Sequence, residues 1–160
     1  MGITPTFKVS DVRNRMDAFL DAIQRQQIKR LQRLGEKCVT YAREEHPGNW
    51  IDQTGNLRSS VGYMVFVDGV AVHNSDFGQI SPRQSQQNVK YDGGKQGETL
   101  CQQIGQQTSG ICLVVVAGMN YAVYVESHGR DVLTGAEHLA QRELPKELES
   151  LLDNIRHAAE

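Results

Sequence analysis

Long apolar runs are missing from this sequence. The longest, Ile111 to Ala117, falls far short of the ~20 residues that a membrane-spanning helix needs, so no membrane partner is expected. The first residues, Met1-Gly2-Ile3-Thr4-Pro5-Thr6, lack the apolar core of a secretory signal, and Pro5 interrupts any helix there. Cysteine is scarce. Cys38, Cys101 and Cys112 are odd in number and widely spaced, which argues against a disulfide framework, and no Cys-x-x-Cys pair offers a metal site. A reducing cytoplasmic setting is expected. Charge of one sign is also lacking: 17 Lys and Arg face 19 Asp and Glu, a net −2 that exerts no general pull towards nucleic acid or anionic lipid. Apolar residues make up 39% of the chain, below the globular average, so part of the surface is either loop or covered by a partner.

Catalytic signatures are missing too. No Gly-x-Gly-x-x-Gly follows a strand, and no Gly-x-Ser-x-Gly elbow is present. Gly93-Gly94-Lys95-Gln96 glances at a phosphate loop but lacks the earlier glycine, and Gln96 stands where a magnesium-binding hydroxyl belongs. It reads as a turn. His46, His73, His128, His138 and His157 never fall at the helical spacing that aims two ligands at one ion, and read as structural or surface residues. Cys38 and Cys112 read as core. Cys101, in a polar stretch, is the one candidate for a reactive thiol, with no base marked beside it. The chain is read as a non-enzyme, with no catalytic residue, metal ligand or cofactor assigned.

What is present is an ordered series of elements. A first helix is expected from about Ser10 to Glu45, with Ser10 or Asp11 as cap and Pro47-Gly48 as stop. Met16, Phe19, Leu20, Ile23, Leu31, Leu34, Cys38 and Tyr41 draw one apolar stripe along it. Arg25, Lys29, Arg33 and Lys37 draw a second, basic stripe, with Arg30 alongside. Such a run is either a solvated face or the counterpart of DNA or an acidic partner. Thr54-Gly55-Asn56 reads as a turn that lets Leu57 anchor in the core. Val61 to Val67 and Val70 to Asn74 form a hairpin around Asp68-Gly69.

Ser75 to Gly110 is rich in Gln and Gly and reads as a polar insertion or arm at about 75–110. Within it Tyr91 to Lys95 turns a second hairpin, or Glu98 to Gln103 forms a short helix. Ile111 to Ala117 reads as a central strand buried on both faces. After Tyr121 to Glu126, Thr134 with Glu137 is expected to cap a last helix that Pro145 kinks or divides. The sum is one α+β domain over residues 1–160: a long N-terminal helix, a small antiparallel β-sheet with hairpins, and a C-terminal helix packed on the sheet.

Two segments carry a resemblance. Gln53-Thr54-Gly55-Asn56-Leu57-Arg58-Ser59-Ser60-Val61 leads into the hairpin, and Asn120-Tyr121-Ala122-Val123-Tyr124-Val125-Glu126 follows, with Gly129 shortly after. Their order between two helices resembles the head–tail joining, or minor tail-completion, family of tailed bacteriophages. That resemblance implies a virion structural subunit of the neck or tail, present in the host cytoplasm during assembly. It would form a homo-oligomeric ring, a hexamer or dodecamer, as an adaptor or a terminator. Its partners would be portal or adaptor proteins and tail-tube or terminator proteins, and DNA would pass through the channel without sequence reading. The candidate subunit-interface residues are Thr54, Gly55, Arg58, Tyr91, Tyr121, Tyr124 and Glu126, the last expected to pair with Arg58 or with a base on the next subunit. Read from their positions alone, the same residues can equally hold the monomer together, the reading favoured for Leu57 and Val61. The alternative function is a DNA-binding module using Arg25, Lys29, Arg30, Arg33 and Lys37.

Overall fold

The computed structural model describes residues 6–44, 55–78 and 92–159. Thr54, Tyr91 and the rest of residues 79–91 of the polar insertion lie outside them. The elements are α1 (Val9–Arg43), α2 (Asn56–Ser60), β1 (Val61–Val67), β2 (Val70–Asn74), α3 (Gly93–Gly105), β3 (Ile111–Ala117), α4 (Ala122–Ser127) and α5 (Thr134–Ala159). The fold is α+β, with a long first helix, a three-stranded antiparallel sheet in the order β2-β1-β3, and the last helix packed over the same face as α1.

The hairpin forms as its turn dictates. Asp68 and Gly69 both take positive φ, 49° and 79°, the mirror-image turn whose twist suits two antiparallel strands. The expected central strand is displaced, however: β3 lies at the edge, and β1 is the strand enclosed on both faces. Its alternating side chains supply two cores. Val61, Tyr63 and Val65 meet Leu34, Cys38, Val39 and Ala42 of α1 together with Ala136 of α5. Met64 and Phe66 meet Cys101 of α3, joined by Val114 and Val116 of β3. The unbroken apolar run of β3 follows from the same layering, because each of its faces is partly covered although no strand among the described residues pairs with its outer edge.

On the first face α1 lies very close to the sheet. A Cβ at Gly35 would stand 2.4 Å from the Tyr63 ring, so the contact tolerates no side chain there. Tyr63 is sealed beneath it, and its hydroxyl donates to Glu36 Oε1 at 2.8 Å and lies 3.0 Å from His73 Nε2. On the second face α3 approaches just as closely. Gly93, Gly97, Cys101 and Gly105 recur at every fourth position and are all buried. A Cβ on Gly97 would stand 2.2 Å from the Ser60 carbonyl, and one on Gly105 would stand 2.0 Å from Phe66.

This helix revises the reading of the insertion. Residues 93–105 are a sheet cover instead of an arm, and Asp92 caps their start by accepting from the Lys95 amide at 3.2 Å, where a hairpin turn was one of the two options. Cys101, the candidate reactive thiol, is fully buried. Its Sγ donates to the Val114 carbonyl at 3.5 Å, and burial pushes the thiol up to about 12. It belongs to the core, whereas Cys112, read as core, is only half-buried.

The helix ends also depart from expectation. Lys8 occupies the cap position of α1 without a side-chain bond, so neither Ser10 nor Asp11 caps it. Pro145 lies inside α5 without dividing it. The pairs Tyr41 to Asp131, Cys38 to Ala136 and Arg30 to Glu147 run in opposite order along the two segments, so α1 and α5 are antiparallel.

The glycine stripe gives a first prediction. Gly97→Ala gains about 1 kcal/mol of helix propensity but drives its methyl into a fixed backbone carbonyl. Overpacking of about 1–3 kcal/mol or more should dominate. Urea unfolding should show a lower midpoint with an unchanged slope. For the same reason, deleting residues 81–109 should expose Met64 and Phe66 and prevent folding, contrary to the arm reading of that segment.

Candidate interaction surface

The first motif folds into a corner that joins α1 to the sheet. Gly55 takes φ 77° at the start of α2, and Leu57 enters a small core with Met119, Ala122 and Val132. Arg58 Nε donates to the carbonyl of Arg43, the last residue of α1, at 3.1 Å. A cation at a helix C-terminus satisfies a free carbonyl and complements the dipole. Arg43 in turn reaches across with Nη2 to the carbonyls of Val61, at 2.7 Å, and Asp76, at 3.0 Å. Ser60 links the two motifs. Its Oγ accepts from the Met119 amide at 3.3 Å, while its carbonyl accepts from the Gly118 amide at 3.1 Å. Gly55, Arg58, Leu57 and Val61 therefore act within the monomer.

The second motif divides into an inner and an outer face. Tyr121 leads into α4, whose Ala122 is buried, while Val123 and Tyr124 are exposed at 77% and 65%. Tyr124 packs against His128 with ring centroids 4.1 Å apart. Glu126 does not pair with Arg58. Its carboxylate caps α5 instead, accepting from the amides of Val132, Leu133 and Thr134 at 3.0–3.2 Å and from the Thr134 hydroxyl. Burial acts to raise this carboxyl. The hydrogen bonds from the Thr134 hydroxyl and the three amides outweigh it and hold the group below the ordinary carboxylate value. Asp131 adds a bond to the Gly135 amide at 2.8 Å. The expected capping box is absent, because the Thr134 amide donates to Glu126 and the Glu137 amide to the Leu133 carbonyl, while the Glu137 carboxylate accepts from Gln141.

The basic stripe is split between two environments. Arg25, Lys29 and Arg33 are exposed. Arg30 is buried against α5, with Nη1 3.0 Å from Glu147 Oε2, and Lys37 lies 3.4 Å from Glu143. Hydrogen bonds from Lys146 and Lys37 pull the Glu143 carboxyl down to about 2. Two of the five proposed DNA-facing cations are thus engaged by the chain's own carboxylates.

Sequence reasoning missed the surface that the structure exposes most. The apolar stripe of α1 is covered only over its later turns. Val9, Val12, Met16, Phe19 and Leu20 are left in solvent, as are Leu148 and Leu152 of α5. Beside them α1, α5 and the α1-side face of β3 line a cleft of about 830 Å³, walled by apolar residues such as Leu31, Leu34, Leu113, Leu144 and Leu148. The signal was in the stripe itself, which runs on beyond the length that one small sheet can cover.

Among the described residues no group of three His, Cys, Asp or Glu is placed to hold a metal ion, and no helix is long and apolar enough to cross a membrane. No family model, curated protein or solved structure matches this chain.

The Glu126 cap gives a second prediction. Glu126→Ala should cost about 1–2 kcal/mol, the range for loss of a helix cap. Because the folded-state value is depressed, the contribution is present above the ordinary carboxylate value of 4.5 and is lost as pH falls through the lower folded value. Denaturant unfolding of wild type and variant should differ at pH 7 and converge in acid.

Proposed function

We propose that this chain is a non-enzymatic structural subunit that assembles into a ring at the head–tail junction of a tailed bacteriophage. The observation that carries this reading is the apolar surface of α1. Met16 and Leu20 stand 61% and 58% exposed, in line with Val9, Val12 and Phe19. A lone soluble protein rarely leaves so continuous an apolar stripe in water, and such a surface marks a site of association. The exposed outer face of α4, with Val123 and Tyr124, adds a second patch within the motif that resembles the phage family. A ring follows when a heterologous contact repeats with a closing rotation. Portal-side and tail-side proteins would meet the remaining faces, and the virion is the proposed location.

Electron microscopy of the purified protein, or of particles carrying it, tests the reading. Closed rings of uniform subunit number are expected. A monomer at every concentration, also missing from particles, would remove it.

A DNA-binding role is the second reading, supported by the exposed Arg25, Lys29 and Arg33. With three exposed cations on that stripe the slope of log affinity against log salt should be no steeper than about −3. Changing all three to Ala should abolish retention on DNA at low salt if that role is real. In a ring whose channel only passes DNA, the same change should leave assembly intact.

A further inference from the structure

Resting on the ring reading, we infer that the apolar start of α1 from one copy seats in the α1/α5/β3 cleft of the next copy, as a head-to-tail contact. Ridge and cleft match in form. At 100° per residue, Val9, Val12, Met16, Phe19 and Leu20 fall within an arc of about 100°, the width of a single helix-packing face. The ridge from Val9 to Leu20 spans eleven steps, about 17 Å. The α1 wall of the cleft, from Gln27 to Cys38, spans the same eleven steps and the same length. Its floor and far wall are apolar, built from Ile111, Leu113 and Val115 of the strand and from Leu144, Leu148 and Leu151 of α5. A helix laid on an apolar groove is a standard mode of recognition.

Charge agrees with the same occupant. On the helical wheel Lys8 and Arg13 border the ridge on either side, whereas Asp11 and Asp21 turn away from it. The cleft carries the exposed carboxylate of Glu137 in return, its other carboxylate, Glu147, being held by Arg30. Its wall also holds Arg30, 7% exposed, whose Nε–H has no acceptor among the described residues. A buried donor left without an acceptor is destabilising, and a polar group on the edge of an arriving helix would relieve it.

Ridge and cleft follow one another along the same face of α1, so a molecule cannot seat its straight helix in its own cleft. The donor patch differs from the acceptor patch, so a head-to-tail contact leaves one ridge and one cleft open at its two ends and propagates around a ring, whereas reciprocal exchange would close a two-fold dimer.

Two surface variants test this. Met16→Glu/Leu20→Glu disables the ridge and Leu148→Glu disables the cleft. All three residues are exposed, so both variants should unfold near the wild-type temperature. By light scattering, wild type should be a ring, and each variant alone should be monomeric, with self-association weakened at least about tenfold. Mixed together, the variants should form a one-to-one heterodimer, since one carries an intact cleft and the other an intact ridge, and growth should stop there. A mixture that stays monomeric overturns the inference, as does a wild type that is a closed dimer. Rings that persist in both variants assign the cleft to another occupant and overturn the inference while leaving the ring reading standing. A wild type that is monomeric at every concentration overturns the inference, and the ring reading falls with it only if particles also lack the protein.

Discussion

One strand has to be covered on two sides at once, and most of the structure follows from how that is achieved. β1 presents Val61, Tyr63 and Val65 to one face and Met64 and Phe66 to the other, and all of them are shut off from water. A sheet of three strands is too narrow to bury its centre unless its covers come very close. Gly35 allows α1 to settle onto the Tyr63 ring, and Gly97 and Gly105 allow α3 to settle onto Ser60 and Phe66. Removing side chains at these points sacrifices helix propensity, about 1 kcal/mol per glycine, in exchange for dense packing across the layer. Ser60, the last residue of α2, lies where β1, α3 and the turn before α4 converge.

The outer layer is held by a different chemistry. α1 and α5 run antiparallel and are joined by the Arg30–Glu147 pair, with little solvent at either side chain. Losing one member would strand the other charge in a low-dielectric setting, which is far more damaging than losing a surface pair. The neighbouring Lys37–Glu143 pair is exposed on its lysine side and contributes modestly. Part of a basic run that resembles a nucleic-acid footprint is thus the inner seam of a helix pair.

Local signals were readable in the sequence and remote ones were not. Asp68-Gly69 announces its hairpin because the turn geometry is fixed by two adjacent residues. The long helices announce themselves by periodicity. β1 and β3 were misplaced because an apolar run records how much of a strand is covered and says nothing about its neighbours. α3 hid behind a loop-like composition, its small residues at every fourth position being a packing signal and not a turn. The Glu126 cap acts over eight residues, beyond the short spacing of a capping box, and the acceptor of Arg30 lies 117 residues away. Of the candidate interface residues, Gly55, Arg58 and Glu126 are occupied inside the subunit, Tyr121 and Tyr124 face outward, and Thr54 and Tyr91 lie outside the described residues.

The carboxylate of Glu126 bolts the end of α4 to the first turn of α5, and Ala136 of that turn accepts from the Cys38 thiol of α1. These links place the exposed rings of α4 at one end of a mechanical train whose other end is the overhanging tip of α1. Side-chain bonds thus tie the exposed Tyr124 face to the helix pair in addition to the loop that joins α4 to α5.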